Sequence, residues 1–138
     1  MDELNAAPGV APINGRRRAR KKPLEPAKPK RLVLKIRDHD SLAGLDMRFL
    51  WLNHWNLSGR DLRRANLRGA RLNGANLSAS DLRDAVLEAA DLSGACLRGT
   101  LLKGADLRSA VVTDADFREA KGLTQAMLRV LQERGARA

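Results

Sequence analysis

Hydrophobic residues recur every five positions along the second half of the chain, from residue 55 to residue 120. Leucine fills this column in eleven consecutive repeats, and Val112 and Phe117 continue it in phase. A second column, two residues earlier, is mostly alanine, and Asp or Asn mostly lies between the two. The leucine column comprises Leu57, Leu62, Leu67, Leu72, Leu77, Leu82, Leu87, Leu92, Leu97, Leu102 and Leu107. A fixed short period of this kind decides the architecture of the chain.

A five-residue period is incompatible with one α-helix or one continuous strand. In a helix, five residues rotate the chain by about 500°, so successive leucines would step around it by about 140° and share no face. In a strand, five is an odd number, so alternate leucines would point to opposite sides. A short extended piece followed by a two-residue turn satisfies the pattern. Glycine fills the second turn position in six of the thirteen repeats, which predicts positive φ there.

The thirteen copies of the pattern A-[D/N]-L-x-x, from Trp55 to Glu119, closely resemble the pentapeptide-repeat family. The resemblance implies an all-β solenoid, a right-handed quadrilateral β-helix in which four repeats form one square coil. We therefore expect a β-helix of about three to four coils over residues 55–120. The resemblance leaves the function open, because one fold hosts many functions.

Residues 1–31 differ from the repeats in composition, being rich in Pro, Gly, Ala, Lys and Arg. Such a segment cannot bury enough apolar surface to offset its ordering entropy, so we expect a disordered basic arm. Six cations within seven residues predict an electrostatic anchor for nucleic acid, an anionic membrane surface or an acidic protein. A solvated tail that keeps the protein soluble is the alternative. The six are Arg16, Arg17, Arg18, Arg20, Lys21 and Lys22.

Residues 32–54 lie between the arm and the repeats, and we assign them to an N-terminal capping segment. Leu32, Leu34 and Ile36 alternate with other residues, as is typical of a half-buried strand. This strand is out of phase with the five-residue columns. It would therefore cap the first coil or pair with a partner.

Residues 42–55 fit two descriptions. The five-residue phase extends backwards through Leu52, Met47 and Leu42, but the alanine column would then contain large or polar residues. The same residues have helical spacing, with Ser41 as a candidate N-cap, and we favour a short capping helix. Trp51 and Trp55 would cover the first coil, because an open β-helix end exposes unpaired edges, or would form a partner interface.

The last segment, residues 121–138, predicts a capping α-helix over residues 125–134. Thr124 is placed as its N-cap and Gly135 just after its end. We expect this helix to cover the last coil. Homodimerisation through its apolar face is the alternative, and the candidate interface residues are Met127, Leu128 and Leu131.

Residues twenty apart in a square β-helix should stack one strand spacing, about 4.8 Å, apart. The position after each leucine then yields one uniformly cationic ladder, formed by Arg63, Arg83 and Lys103. This ladder is a candidate docking strip for phosphate or carboxylate groups. Asp61 and Asp81 lie beside it, so a mutually compensated charged face is the alternative.

The net charge of +10 belongs mostly to the ends of the chain. Residues 1–55 carry +6, residues 56–120 carry +1 and residues 121–138 carry +3. A single cysteine, Cys96, excludes an internal disulfide framework. No secretory signal or long apolar run is recognisable. We therefore expect a cytoplasmic protein, either free or peripheral to a membrane or large complex.

The sequence contains no recognisable active site. No nucleophile and base are paired, no set of metal ligands has the required spacing, and we predict no catalytic residue, metal or cofactor. The leading hypothesis is a rigid interaction module that docks a protein partner or a multi-subunit assembly and is anchored by the arm. The family resemblance implies a second hypothesis, since some of its members mimic DNA and modulate DNA gyrase. A third is non-specific binding of nucleic acid or anionic membrane through the arm.

Overall fold

The computed structural model describes residues 41–138. From residue 41 to residue 120, every repeat contributes one residue to a parallel β-bridge and then makes a two-residue turn. The bridges join residues twenty apart, from Ser41↔Asp61 to Leu101↔Lys121. Four repeats therefore complete one coil, and no strand in the described residues is longer than one bridged residue. We number the coils 1 to 4, over residues 41–60, 61–80, 81–100 and 101–120.

Backbone hydrogen bonds connect each coil to the next in a regular lattice. The N–H of a leucine-column residue donates to the following coil, as from Leu67 to the carbonyl of Val86 at 2.7 Å. The bridged residue donates in the opposite direction, as from Asn66 to the carbonyl of Leu45 at 2.8 Å. Buried backbone N–H and carbonyl groups must be paired. This lattice explains how a chain without long strands pairs those groups in its interior.

The second turn residue has positive φ in every repeat from Gly44 to Glu119. Sequence analysis predicts this conformation from the glycines, but nine of the sixteen positions are other residues. An inter-coil hydrogen bond holds many of these turns, such as the one from Arg64 N–H to the carbonyl of Arg83 at 3.0 Å. The lattice therefore imposes the left-handed conformation on side chains that rarely adopt it alone.

The leucine column and most of the alanine column form one continuous interior. Leucine-column residues from Leu42 to Phe117 are fully or almost fully buried. Ser80 and Thr100 replace alanine and are also fully buried. Their hydroxyls donate to the carbonyls of Leu77 at 2.6 Å and Leu97 at 2.8 Å. The two polar substitutions therefore keep their hydrogen bonds inside the core.

Coil 1 follows the path of the later coils, so the short capping helix that we favour for residues 42–55 is not present. Leu42, Met47 and Leu52 point into the interior and are fully buried. Leu50 is buried in the alanine column, and Leu45 packs partly buried against the core. Inter-coil hydrogen bonds, such as the one from Leu52 N–H to the carbonyl of Arg71 at 2.8 Å, hold coil 1 on this path with the larger side chains in place. The arm and the predicted strand over residues 32–37 lie outside the described residues.

A single α-helix, α1, spans Gln125–Glu133 in the described residues. The Thr124 hydroxyl accepts the Met127 N–H at 3.1 Å and caps its start. Beyond its end, Gly135 has a φ of 95°, and the Ala136 N–H donates to the carbonyl of Leu131 at 3.0 Å. This Schellman ending turns the chain back onto coil 4, where Arg137 bridges Asp116.

Candidate interaction surface

The four sides of the β-helix present four columns of outward side chains. We label each side by its first bridged residue: side A begins at Ser41, side B at Asp46, side C at Trp51 and side D at Asn56. Each side continues every twenty residues through the later coils. The sides are the surface on which a partner would dock.

The bridged Asp and Asn residues stabilise the turn that follows them. A side-chain oxygen accepts the N–H two residues later, from Arg48 to Asp46 at 3.2 Å and from Ser78 to Asn76 at 3.0 Å. This is the Asx-turn geometry that favours Asp and Asn before a turn. It supplies the physical reason for the Asp and Asn column of the repeat.

Where arginine stands two residues after aspartate, the two side chains form a bidentate pair. In Asp46–Arg48, Nε and Nη2 of the guanidinium donate to the two carboxylate oxygens, both at 2.8 Å. Bidentate pairs of this kind are the stronger class of surface ion pair. Five repeats contain one: Asp46–Arg48, Asp61–Arg63, Asp81–Arg83, Asp106–Arg108 and Asp116–Arg118.

The pairing also changes the acidity of these carboxyl groups. Hydrogen bonds from the Arg48 side chain and N–H hold the pKa of Asp46 at about 2. The Arg118 side chain likewise holds the pKa of Asp116 at about 2, partly opposed by desolvation. The pKa of Asp61, Asp81 and Asp106 is lowered for the same reason. All five carboxylates therefore stay ionised well into the acid range.

These pairs reduce the positive charge that the cationic ladder on side A presents to a partner. Arg63 and Arg83 are exposed, as a docking strip requires, but each guanidinium is engaged by its own aspartate. Arg63 Nε lies a further 3.9 Å from Asp81. Lys103 is exposed and has no ion pair within the described residues. Docking by this ladder stays a prediction, with two of its three cations already compensated.

Side C has a different surface at its coil 1 end. The Arg71 guanidinium lies over the Trp51 ring, 4.6 Å from the ring centroid. Beside it, the Asn53 side-chain amide donates to the Asn73 side-chain oxygen. Each of these pairs joins a residue of coil 1 to the residue twenty positions later.

Two exposed rings flank this part of side C at the neighbouring corners. Phe49 lies over Gly69, where an added Cβ would be 2.5 Å from the ring atoms. The ring of His54 lies in the same way over Gly74. Phe49 is 56% exposed, the largest value among the large hydrophobic residues that the structure describes. We call the six side chains the side C patch: Phe49, Trp51, Asn53, His54, Arg71 and Asn73.

The other candidate interface residues mostly serve the core. Leu131 is fully buried, and Met127 packs partly buried against the core, so α1 covers coil 4. Trp55 also packs against the core at coil 1. Leu128 is half-buried and lies outside the core cluster. The six arm cations, from Arg16 to Lys22, lie outside the described residues.

Other chemistry is sparse in residues 41–138. This part of the chain has no group of three or more His, Cys, Asp or Glu side chains arranged to hold a metal ion. None of its helices is long and apolar enough to cross a membrane. Cys96 is a free, half-buried thiol on side D.

Sequence analysis missed two features of this surface. The first is the set of Asp–Arg pairs. Each pair lies within a single repeat, so the triplets at residues 61–63, 81–83 and 106–108 are visible in the sequence and indicate ion pairs. The interpretation of residues 42–55 as a capping segment leaves Phe49 and His54 out of the predicted interaction surface. The backward extension of the phase is the signal for both, because it places them at the second turn position, which glycine fills in seven of sixteen repeats.

Comparison with known proteins identifies the repeat independently. A family model described as pentapeptide repeats matches residues 52–88, 61–99 and 85–121, with eight copies. These segments together span residues 52–121, just over half of the chain. No curated protein matches the chain.

Solved structures of repeat proteins are similar to this chain. The pentapeptide repeat protein alr5209 from Nostoc Pcc 7120 is 28% identical over 77% of this chain and 90% of its own, with a TM-score of 0.46. A trypsin-treated variant of QnrB1, a plasmid-mediated fluoroquinolone resistance protein, is 26% identical over 59% of this chain, with a TM-score of 0.48. The match covers 47% of the QnrB1 chain, so this chain spans less than half of that protein.

Proposed function

This chain belongs to the pentapeptide-repeat family, and we propose that it is a non-enzymatic interaction module. Family membership makes its fold a right-handed β-helix solenoid, as the resemblance in the sequence implied. In the proposal, the β-helix docks a protein partner or a multi-subunit assembly. The basic arm, with its cations from Arg16 to Lys22, adds an electrostatic anchor.

One observation carries the proposal: outward side chains are held in place by contacts between coils and within turns. Arg71 is stacked on Trp51, Asn53 is bonded to Asn73, and Arg98 pairs with Glu119 of the next coil at 2.8 Å. A surface ordered before binding loses less side-chain entropy when a partner docks. The β-helix is thus suited to recognition by a fixed surface.

The distribution of charge along the chain supports different roles for the β-helix and the arm. Residues 41–138 carry 15 basic and 11 acidic side chains, and five of the acids are in bidentate pairs. The remaining +6 of the formal charge lies in residues 1–40. We propose that the arm accelerates and strengthens an encounter whose specificity comes from the sides of the β-helix.

A pull-down from the native cell extract tests this proposal. The bait is the full chain, compared with a full-length variant in which the six arm cations are changed to glutamine. We expect the same protein partner with both baits, with less recovery for the variant and a smaller loss of recovery as salt rises. Nuclease treatment should leave the recovery unchanged. Recovery of nucleic acid alone, or loss of all binding in the arm variant, would contradict the proposal.

The DNA-mimic alternative requires a strongly acidic surface. The positive charge of residues 41–138 and the neutralised aspartates oppose that interpretation. A supercoiling assay with purified DNA gyrase provides the test. We expect no inhibition and no protection from a quinolone at a large excess of the chain, and either effect would favour mimicry.

A further inference from the structure

Three of the four aromatic side chains of the chain belong to coil 1. The chain has two tryptophans and two phenylalanines. Phe49, Trp51 and Trp55 all belong to coil 1, and Phe117 is buried in coil 4. Tryptophan and arginine are enriched among the residues that dominate binding energy at protein interfaces. The side C patch combines Trp51 and Arg71 with the exposed ring of Phe49.

The patch is ordered by contacts between coil 1 and coil 2. Phe49 lies on Gly69, Trp51 on Arg71, Asn53 on Asn73 and His54 on Gly74. All four contacts join residues twenty positions apart. Both glycines leave space that a Cβ would fill, so the two rings lie close to the backbone of coil 2. The surface is therefore already arranged for a partner.

The polar groups of the patch define what it can bind. Arg71 is exposed, and no described carboxylate lies within 4.0 Å of its guanidinium. Its stacking on Trp51 leaves the edge of the guanidinium available for a carboxylate. The hydrogen bond between Asn53 and Asn73 uses one N–H and one oxygen, which leaves an amide acceptor and an amide donor for a peptide group.

The charges around the patch favour a protein segment over a nucleic acid. Arg48, next to Phe49, is held by Asp46 in a bidentate pair. Arg68, on the adjoining side B, lies 3.6 Å from Glu88. Binding of a nucleic-acid strand uses a groove of uncompensated cations along the backbone. Arg71 alone does not form such a groove.

From these observations we infer that the side C patch is the docking site for a protein segment with a carboxylate next to an apolar side chain. The carboxylate pairs with Arg71, the apolar side chain packs on Phe49, and a backbone peptide group bonds to Asn53 and Asn73. This inference rests on the proposed function as an interaction module and assigns that function to one surface.

The test selects short random peptides on the immobilised full chain and measures the affinity of the selected peptides in solution. Two variants remove the recognition groups: Phe49→Asn and Arg71→Gln. Asparagine tolerates positive φ better than most residues, so the first variant removes the ring without straining the turn. The matched controls lie in the same two columns at coil 4: Ser109→Asn and Val111→Gln. Thermal melting of each variant checks that all four of them fold.

We expect selected peptides with Asp or Glu beside an aromatic or aliphatic residue. Each patch variant should weaken their binding about thirtyfold, which is the lower end of the range of an interface hot spot, and the controls should leave it unchanged. Failure to select any peptide, or equal binding to patch variants and wild type, would overturn the inference. Patch-dependent binding of a single-stranded oligonucleotide in place of peptides would overturn it in favour of nucleic acid.

The patch variants also separate this inference from the proposed function. In the pull-down from cell extract, the partner could bind Phe49→Asn and Arg71→Gln as well as it binds wild type. That result would overturn the side C patch as the docking site and would leave the proposed interaction module standing. Absence of any protein partner for wild type contradicts the module itself.

Discussion

Coil 1 and coil 3 follow the same path with different side chains in the alanine column. Both bury a continuous leucine column, and both have positive φ at the second turn position of each repeat. The alanine column of coil 3 is small, whereas that of coil 1 is large. It holds Ala85, Ala90, Ala95 and Thr100 in coil 3, and Leu45, Leu50, Trp55 and Arg60 in coil 1. The leucine column and the turns therefore set the path, while the alanine column holds larger side chains in coil 1 without changing it.

The outer surfaces of the two coils differ in a related way. In coil 3, Asp81 is paired with Arg83, and Asp91 accepts hydrogen bonds from Ser93 within its own turn. In coil 1, Asp46 and Arg48 form a pair of the same kind, and Trp51 and Phe49 in addition reach coil 2. Coil 3 contacts coil 4 through a charged pair, Arg98 and Glu119, whereas coil 1 contacts coil 2 through aromatic side chains. This difference is the reason why we propose coil 1 and coil 2, and not coil 3, as the recognition surface.

The largest effect should come from removing a shared element, the leucine column, in coil 3. Leu87 is fully buried, and Leu87→Ala should lower the free energy of unfolding by about 3 kcal/mol, from lost burial and a cavity. Urea denaturation followed by circular dichroism measures this loss. Leu128→Ala on the half-buried flank of α1 is the control and should cost much less. Equal costs at the two sites would show that the leucine column is not the main source of stability.

The next effect tests whether the alanine column must be small inside the stack. Ala90→Leu places in coil 3 the residue that coil 1 has at Leu50, between Ala70 and Ala110. Overpacking should cost about 2 kcal/mol in the same denaturation experiment. A neutral result would mean that the column accepts leucine in any coil, and the contrast between coils 1 and 3 would no longer hold.

A smaller loss of stability should distinguish a glycine turn of coil 2, which contacts a coil 1 side chain, from a glycine turn of coil 3, which has no such contact. Gly74→Ala and Gly94→Ala each place a Cβ at positive φ, which costs about 1 kcal/mol. Only the first meets another side chain, the ring of His54, so it should lower the free energy of unfolding further. In a His54→Gly background, which removes the ring and accepts the positive φ of this turn, the two costs should become equal. A difference that persists there would assign the excess cost to a group other than His54.

The smallest effect should be the loss of the Asp–Arg pairs in acid. The folded pKa of Asp46 and Asp116 is about 2, below the ordinary value of 3.8. Their contribution is therefore complete above about pH 4 and is lost as the pH falls towards 2. The Asp46 carboxylate is 61% exposed and that of Asp116 only 16%, and solvent screening weakens the more exposed pair.

Melting temperatures between pH 4 and pH 2 measure this contribution. Wild type should lose stability across the window, Asp116→Asn should lose clearly less, and Asp46→Asn should differ little from wild type. A wild-type melting temperature that is constant from pH 4 to pH 2 would show that the pairs do not stabilise the fold.

The sequence by itself determined the period, the inward leucine column, the left-handed turn position and the family. These features depend on a pattern repeated thirteen times, so local deviations such as Ser80 do not obscure it. The helix α1 also occupies the region where Thr124 and Gly135 predict it, because capping acts within a few residues.

Only the tertiary structure decided the path of coil 1 and the composition of the side C patch. Leu45 and Leu50 lie in the alanine column of coil 1, where inter-coil hydrogen bonds keep the path of the later coils, and no local pattern records this. Phe49 and Arg71 meet coil-2 and coil-1 neighbours that are twenty residues away along the chain. Such contacts depend on the stacking of the coils and on the packing of individual side chains. A repeat pattern determines how the coils stack, but it does not determine how the side chains pack.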